Sequence, residues 1–263
     1  MKKSPPLLVL SSLALMALSP FSQSARADNL RVANFGFELP SFTDGAFENY
    51  PSLVEQGGYG WTWNNNGAQI GGIFNPSVTY YAGAAGNGTP AGAEGAQVGY
   101  LFRGGAFASQ TLAGNDGIPG NADDPILTAL TTYTLTLAVG DRLPGGANSF
   151  PFGNVDLALL AGSTVIAEDS TIGDPGAGLF ADHTITVNSA FLNPSLYGQP
   201  LTIRIIQTQP GDFAADLDNV RLNAVTVPEP SSARLLALGL VGFALSVFRK
   251  TRPTSGRVGS IAG

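Results

Sequence analysis

The chain has no cysteine, one histidine and two methionines in 263 residues, and only 12% of its residues are charged. Without cysteine, no disulfide can staple the fold, so an exported chain must hold together by its core or by a bound ion. With His183 as the sole imidazole and no thiolate, a zinc centre lacks its ligands. No lysine lies between residues 28 and 226, where five arginines stand against eighteen acids, a formal charge of −13. Phosphate backbones require cations, so this balance excludes a nucleic-acid partner. No GxSxG elbow and no GxxxxGK[ST] loop occur, and a Ser-His-Asp hydrolase would have to use His183, which sits in a strand pattern.

The two ends are built differently from the middle. Lys2 and Lys3, the apolar run Leu7 to Leu18 and the small-residue site Ala25-Arg26-Ala27 predict a secretory signal peptide over residues 1–27. Near the other end, Leu235 to Phe248 carries no charge. A helix there covers about 21 Å against a hydrocarbon core of about 30 Å, and Arg234 can snorkel to extend it. Arg249, Lys250 and Arg252 follow and place that flank in the cytoplasm. Just before it, Pro228, Glu229 and Pro230 keep the chain extended and open to a protease. This order over residues 227–252 resembles the PEP-CTERM sorting signal of Gram-negative bacteria. The resemblance implies recognition by an exosortase, transient anchoring in the inner membrane by a single transmembrane helix (235–248), and delivery to the cell surface or extracellular matrix, often with extracellular polysaccharide. Residues 253–263 form a tail beyond the signal, expected to be disordered.

Between the ends, residues 28–226 show short alternating runs bounded by Gly, Pro, Asn and Asp, the pattern of an all-β, jelly-roll type two-sheet sandwich. Strand signals are Leu30–Leu39, Gln97–Phe102, Phe107–Leu112, Thr131–Val139, Asn154–Ala161, Ser163–Asp169, His183–Val187, Leu201–Thr208 and Leu217–Val225. Thr131–Val139 alternates cleanly, with Tyr133, Leu135, Leu137 and Val139 on one face. Gly162-Ser163 reads as a hairpin turn.

Oxygen ligands cluster in two places. The loop Gly114–Pro125 holds Asp116, Asp123 and Asp124 among asparagines and glycines, a composition suited to Ca²⁺. In the last strand, Asp216 and Asp218 share parity with Val220 and Leu222, which predicts inward carboxylates in need of a partner. Asn34-Phe35-Gly36-Phe37-Glu38 near the start and Asp218-Asn219-Val220-Arg221-Leu222 near the end resemble the terminal motifs of carbohydrate-binding-module-like, galactose-binding-like β-sandwiches. That resemblance implies a structural Ca²⁺ held by Glu38 and Asp218.

Trp61, after a glycine, reads as core. Trp63, Tyr80, Tyr81 and Tyr100, near Asn64 to Asn66, supply the flat rings and amides that a sugar-binding face needs. A nearer resemblance runs through GGIFNP with its following Tyr-Tyr, Thr-Tyr-Thr-Leu, Gly140 to Arg142 and the terminal Asp-Asn-Val. These strings are similar to a group of exported proteins that includes the Stig cyclases of hapalindole-type alkaloid biosynthesis. It implies a calcium-dependent β-sandwich enzyme with an aspartate acid in an aromatic pocket, here Asp216 with Trp63 and Tyr81. The leading expectation is a non-catalytic, exported, polysaccharide-associated surface protein. The alternatives are an enzyme of the Stig-cyclase type and a purely structural or adhesive matrix component.

Overall fold

The computed structural model describes residues 26–49, 58–63, 70–77, 79–81, 92–145 and 149–226. The signal peptide (apart from its last two residues), the Pro228-Glu229-Pro230 motif, the apolar span 235–248 and the tail lie outside the described residues, as do Asn64 to Asn66. No helix among the described residues is long and apolar enough to cross a membrane.

Twelve strands are described: β1 Arg26–Leu30, β2 Phe47–Asn49, β3 Thr62–Trp63, β4 Ile70–Phe74, β5 Val98–Phe102, β6 Phe107–Thr111, β7 Thr131–Gly140, β8 Val155–Ala161, β9 Thr164–Ile172, β10 Phe180–Asn188, β11 Leu201–Gln207 and β12 Ala214–Thr226. All pair antiparallel, in two sheets that make the expected all-β sandwich. One runs β10-β7-β12-β5-β4-β2, with β1 also on β12; the other runs β3-β6-β11-β8-β9. β12 organises the first sheet. One flank pairs along β7, while the other takes β5 at its start and β1 at its end.

The inner faces follow the alternation read from the sequence. Tyr133, Leu135, Leu137 and Val139 of β7 join one buried cluster with Ile203 and Ile205 of β11 and Leu157 and Leu159 of β8. Such side chains bring about 1.5–3 kcal/mol each on burial. Gly162, at φ +59, makes the tight β8–β9 connection as expected.

Two expectations need correction. Leu30–Leu39 is not a strand beyond Leu30. Asn34 and Phe37 take positive φ (+46 and +55), and Phe37 N–H donates to the Asn34 carbonyl at 3.0 Å. Val32 and Phe37 are nevertheless buried, so the apolar spacing served a loop and not a ladder. The parity of the last strand is also broken. A bulge lies between Asp218 and Arg221, with Asn219 at φ +49. One extra residue moves every side chain before it to the other face. Leu217, opposite Val139, therefore points inward with Val220 and Leu222, while Asp216 and Asp218 share the outer face.

Candidate active site

The outer face of the first sheet carries a second apolar cluster of Phe74, Val98 and Tyr100, with Ile70, Tyr80 and Phe180 packed against it. Register places Phe180, Gly140, Asp216, Tyr100, Gly72 and Asn49 in one cross-strand row over β10, β7, β12, β5, β4 and β2. Residues directly opposite lie on the same face. The two glycines leave room for their neighbours: a Cβ on Gly140 would run into the Phe180 ring, and one on Gly72 into the Glu48 carbonyl. Tyr100 thus reaches across Gly72, and its hydroxyl donates to Asn49 Oδ1.

The segment after β7 folds back over this row. Leu143 N–H donates to the Tyr80 carbonyl at 2.7 Å, and Asp141 N–H to the Leu179 carbonyl at 3.1 Å. This anchoring lays Arg142 on the row. Its Nε donates to Asp216 Oδ2 at 2.8 Å and its Nη2 to Asp216 Oδ1 at 2.6 Å, a bidentate pair. Tyr81 Oη donates to Oδ2 as well. Arg142 is 9% exposed and Asp216 1%. The guanidinium lies 4.5 Å from the Phe74 ring centre and 5.7 Å from that of Tyr100, within cation–π range. Burial opposes the charge on Arg142, but Asp216 outweighs it and holds its pKa above the ordinary arginine value. Burial, reinforced by Asp216, pushes the Tyr81 phenol well above its usual range, and burial also raises Tyr100. Both phenols stay protonated donors. Asp141, beside the pair, is pushed up to about 6 by burial and by Asp174 and Asp216.

Above Arg142 lies a pocket of about 280 Å³ walled by Phe47, Ile70, Phe74, Phe102 and Phe150, with Asn49, Tyr100 and Arg142 as its polar groups and Ala214 beside them. Phe150 closes one wall with its ring 4.4 Å from that of Phe102. An aromatic chamber with a few convergent polar groups is the common form of a small-molecule site.

The residues expected from the sequence divide accordingly. Tyr100 lines the pocket, Tyr81 meets Asp216, and Tyr80 backs the wall through an edge contact with Phe74 at 5.0 Å. Trp63 does not line it. It is 1% exposed, lies in the core between the sheets and packs on Phe37 at 5.8 Å, because β3 belongs to the second sheet. Trp61 is core, as expected. Arg142 was read only as part of a motif. A cation two residues past the buried, apolar end of β7 is the signal that it needs a buried counter-ion.

Glu38, Glu94 and Asp218 crowd the junction of the first loop and β12. Glu38 Oε1 accepts from Ala96 and Gln97 N–H at 2.9 Å each. Asp218, 0% exposed, accepts from Asn219 N–H at 2.6 Å and from Glu94 N–H. Burial chiefly, with Glu38 and Glu94 adding repulsion against those amide bonds, pushes Asp218 up to about 8. These hard oxygen donors suit calcium chemically. As the side chains stand, no three Asp, Glu or His groups among the described residues converge tightly enough to hold an ion. The loop acids are arranged otherwise. Asp124 accepts from Gly114, Gly120 and Asn121 N–H, Asp123 from Asn115 N–H, and Asp116 from Ile118 N–H and Asn121 Nδ2. Burial works to raise the Asp124 pKa, but its amide donors outweigh that and hold it low. These three carboxylates organise a turn instead of facing one another around a centre.

The family model of HpiC1 cyclase matches residues 28–223. The chain belongs to the HpiC1-like family. A Stig cyclase from Fischerella sp. TAU, solved with (3Z)-3-(1-methyl-2-pyrrolidinylidene)-3H-indole, is 28% identical over 77% of this chain and 100% of its own, with a TM-score of 0.60. A cyclase from the same organism, solved with 4-(1H-indol-3-yl)butan-2-one, is 29% identical over 76% and 99%, with a TM-score of 0.59. No curated protein is significantly similar. The expectation of a non-catalytic, polysaccharide-associated protein is thereby corrected. The family and the pocket point to an enzyme, the alternative weighed beside it.

Proposed function

We propose that the protein is an exported enzyme of the cyclase type that closes a ring in a flat, indole-like substrate. The observation that carries this reading is the aromatic pocket floored by the Tyr81–Asp216–Arg142 network, in a chain of the HpiC1-like family. Ring closure without redox change is an isomerisation. It requires a folded, dry conformation of the substrate and stabilisation of charge that appears as the new bond forms. Phe74, Phe102 and Phe150 supply apolar ring faces that exclude water and orient a planar molecule. Behind them, the buried ion pair holds Arg142 rigidly, so little reorganisation accompanies the reaction.

Calcium is the second part of the reading. Glu38 and Asp218, with backbone carbonyls completing the shell, would hold it, and there it would tie the first loop to the last strand without entering the chemistry. Export rests on the two terminal segments. The N-terminal leader directs secretion, and the Pro228-Glu229-Pro230 signal hands the chain to an exosortase at the inner membrane, for release to the surface or matrix.

The test is incubation with 3-substituted indoles that carry an alkenyl group. A product of unchanged mass and new retention time, absent with Asp216→Ala, is the expected result. Binding of these indoles with no isomer formed from any of them counts against catalysis. Mass spectrometry of the surface fraction tests processing. An intact C-terminus there counts against sorting.

A further inference from the structure

The two ends of the sandwich differ in what they expose. β12 starts at Ala214, beside the pocket, and finishes at Thr226. Its 13 residues, at about 3.3 Å each, put about 40 Å between the pocket and that far end. There Thr226 pairs with Arg26 and Thr131, and three connections gather around it. Thr131 N–H donates to Ser189 Oγ at 2.9 Å, Leu127 N–H to the Gln199 carbonyl at 2.8 Å, and Gly162 N–H to the Pro200 carbonyl at 2.8 Å. These bonds join the β6–β7 and β10–β11 loops and the β8–β9 turn. Among the described residues eight large apolar side chains are exposed, and four of them, Ile118, Ile126, Val165 and Phe191, stand on or beside these connections. Phe191 is 88% exposed, the most of the eight. It sits on a turn fixed from both sides: Asn188 Oδ1 accepts from Ala190 N–H at 2.9 Å, and Tyr197 Oη donates to the Ser189 carbonyl at 2.9 Å. A rigidly presented ring that packs on little of the fold is a contact waiting for a partner.

The chain itself says what that partner is. Eight residues, 227–234, separate Thr226 from the uncharged run that begins at Leu235. Fully extended, they reach about 30 Å. A chain anchored by that run therefore keeps the Phe191 end, and not the pocket, within reach of lipid. We propose that this end of the sandwich is a bilayer-contact surface, with Phe191 entering the headgroup region of zwitterionic lipid while the chain is anchored. It rests on the reading of residues 227–252 as a membrane-spanning sorting signal, and not on the chemistry of the pocket. Eighteen acids against five arginines in residues 28–226, with Asp116, Asp123 and Asp124 on this same end, give no attraction to anionic headgroups. Insertion of apolar side chains supplies the contact instead. One ring binds weakly by itself, but the tether raises its effective concentration at the surface, and removal of the sorting signal ends that advantage. The pocket at the other end stays open to water and substrate throughout.

The absence of cysteine allows a single dye to be placed on the full chain. Ile118→Cys reports on the Phe191 end. Leu179→Cys reports on the opposite end, where the Leu179 carbonyl accepts from Asp141 N–H. Both side chains are exposed, so neither replacement disturbs the core. Each labelled chain is reconstituted into phosphatidylcholine vesicles, with and without lipid that carries a nitroxide high on its acyl chain. The expected result is loss of fluorescence at 118 and none at 179, with the loss at 118 abolished by adding Phe191→Asp. Phosphatidylglycerol in the vesicles is expected to weaken the quenching, and stronger quenching there overturns the insertion argument. Vesicle-bound protein that shows no quenching at 118, equal quenching at both sites, or quenching that Phe191→Asp leaves unchanged overturns the inference while the membrane span stands. A dye at 118 that is shielded from water but not quenched by the nitroxide also overturns it, since a second copy of the chain then covers this end. A chain that fails to float with the vesicles overturns both readings.

Discussion

The Arg142–Asp216 pair offers the sharpest test of the site's construction, because its two halves can be removed separately. Asp216→Leu leaves a guanidinium under the pocket without its carboxylate counter-ion. Arg142→Met leaves a carboxylate at 1% exposure with Tyr81 as its remaining donor. An uncompensated buried charge costs about 3–5 kcal/mol, whereas replacing both partners by apolar residues is close to neutral or stabilising. Asp216→Leu is expected at the lower end, about 3 kcal/mol, because Phe74, Tyr80 and Tyr100 still face the cation. Arg142→Met is expected at the upper end. For a domain of about 200 residues each kcal/mol is about 2–4 °C, so the singles melt about 6–20 °C lower. Urea unfolding of the wild type, both singles and the double gives a coupling energy of about 3 kcal/mol or more. Singles that cost under about 1 kcal/mol, or a double as damaged as the sum of the two, would refute the claim that the network is dry and mutually dependent.

Three further outcomes follow from the same geometry. Asp141 is raised from 3.8 to about 6, so its protonated form belongs to the folded state. Its contribution is present below about pH 4 and lost as pH rises through about 6; Asp141→Asn should therefore stabilise by about 1 kcal/mol at pH 7, after discounting for solvent screening, and by nothing at pH 4. A constant offset across unfolding curves from pH 4 to 8 counts against it. Gly72→Ala puts a methyl against the Glu48 carbonyl and 3.1 Å from Asn49 Cα, prising β2 from β4. Expected are a stability loss of about 1–3 kcal/mol and weaker binding of 4-(1H-indol-3-yl)butan-2-one, with unchanged calorimetric affinity as the contrary result. Chelation should lower the thermal midpoint, since an ion present at 100 times its Kd adds about 2.7 kcal/mol, and Glu38→Ala should remove that sensitivity. Identical melting with and without chelator speaks against a calcium clasp.

Much of the scaffold was legible along the chain. β5, β6, β7, β8 and β11 begin and end within a residue or so of their alternating runs. The reason is local: a half-buried strand must alternate, and Gly162-Ser163 must turn. The first strand was misread because Val32 and Phe37 are buried from a loop with positive φ, and burial without a ladder leaves the same apolar imprint. Trp63 and Tyr100 looked alike as aromatic residues of short runs. One lies between the sheets and the other outside them, and only pairing tells the two faces apart.

The resemblance to the Stig cyclases brought Asp216 and Tyr81 into one site, along with Trp63, which lies in the core; from residue types alone came a disulfide-free β-sandwich and an acidic middle with few cations. Residue order fixes composition and period, and those suffice for such features. The tertiary fold decided the rest. A single inserted residue at the β12 bulge turned Asp216 to the outer face, and the return of the chain after β7 set Arg142 upon it. Both are long-range events: 74 positions separate the arginine from its carboxylate, and 135 separate Tyr81 from it. No periodicity spans such distances, whereas antiparallel register does, and it drew six strands into the row that carries the site.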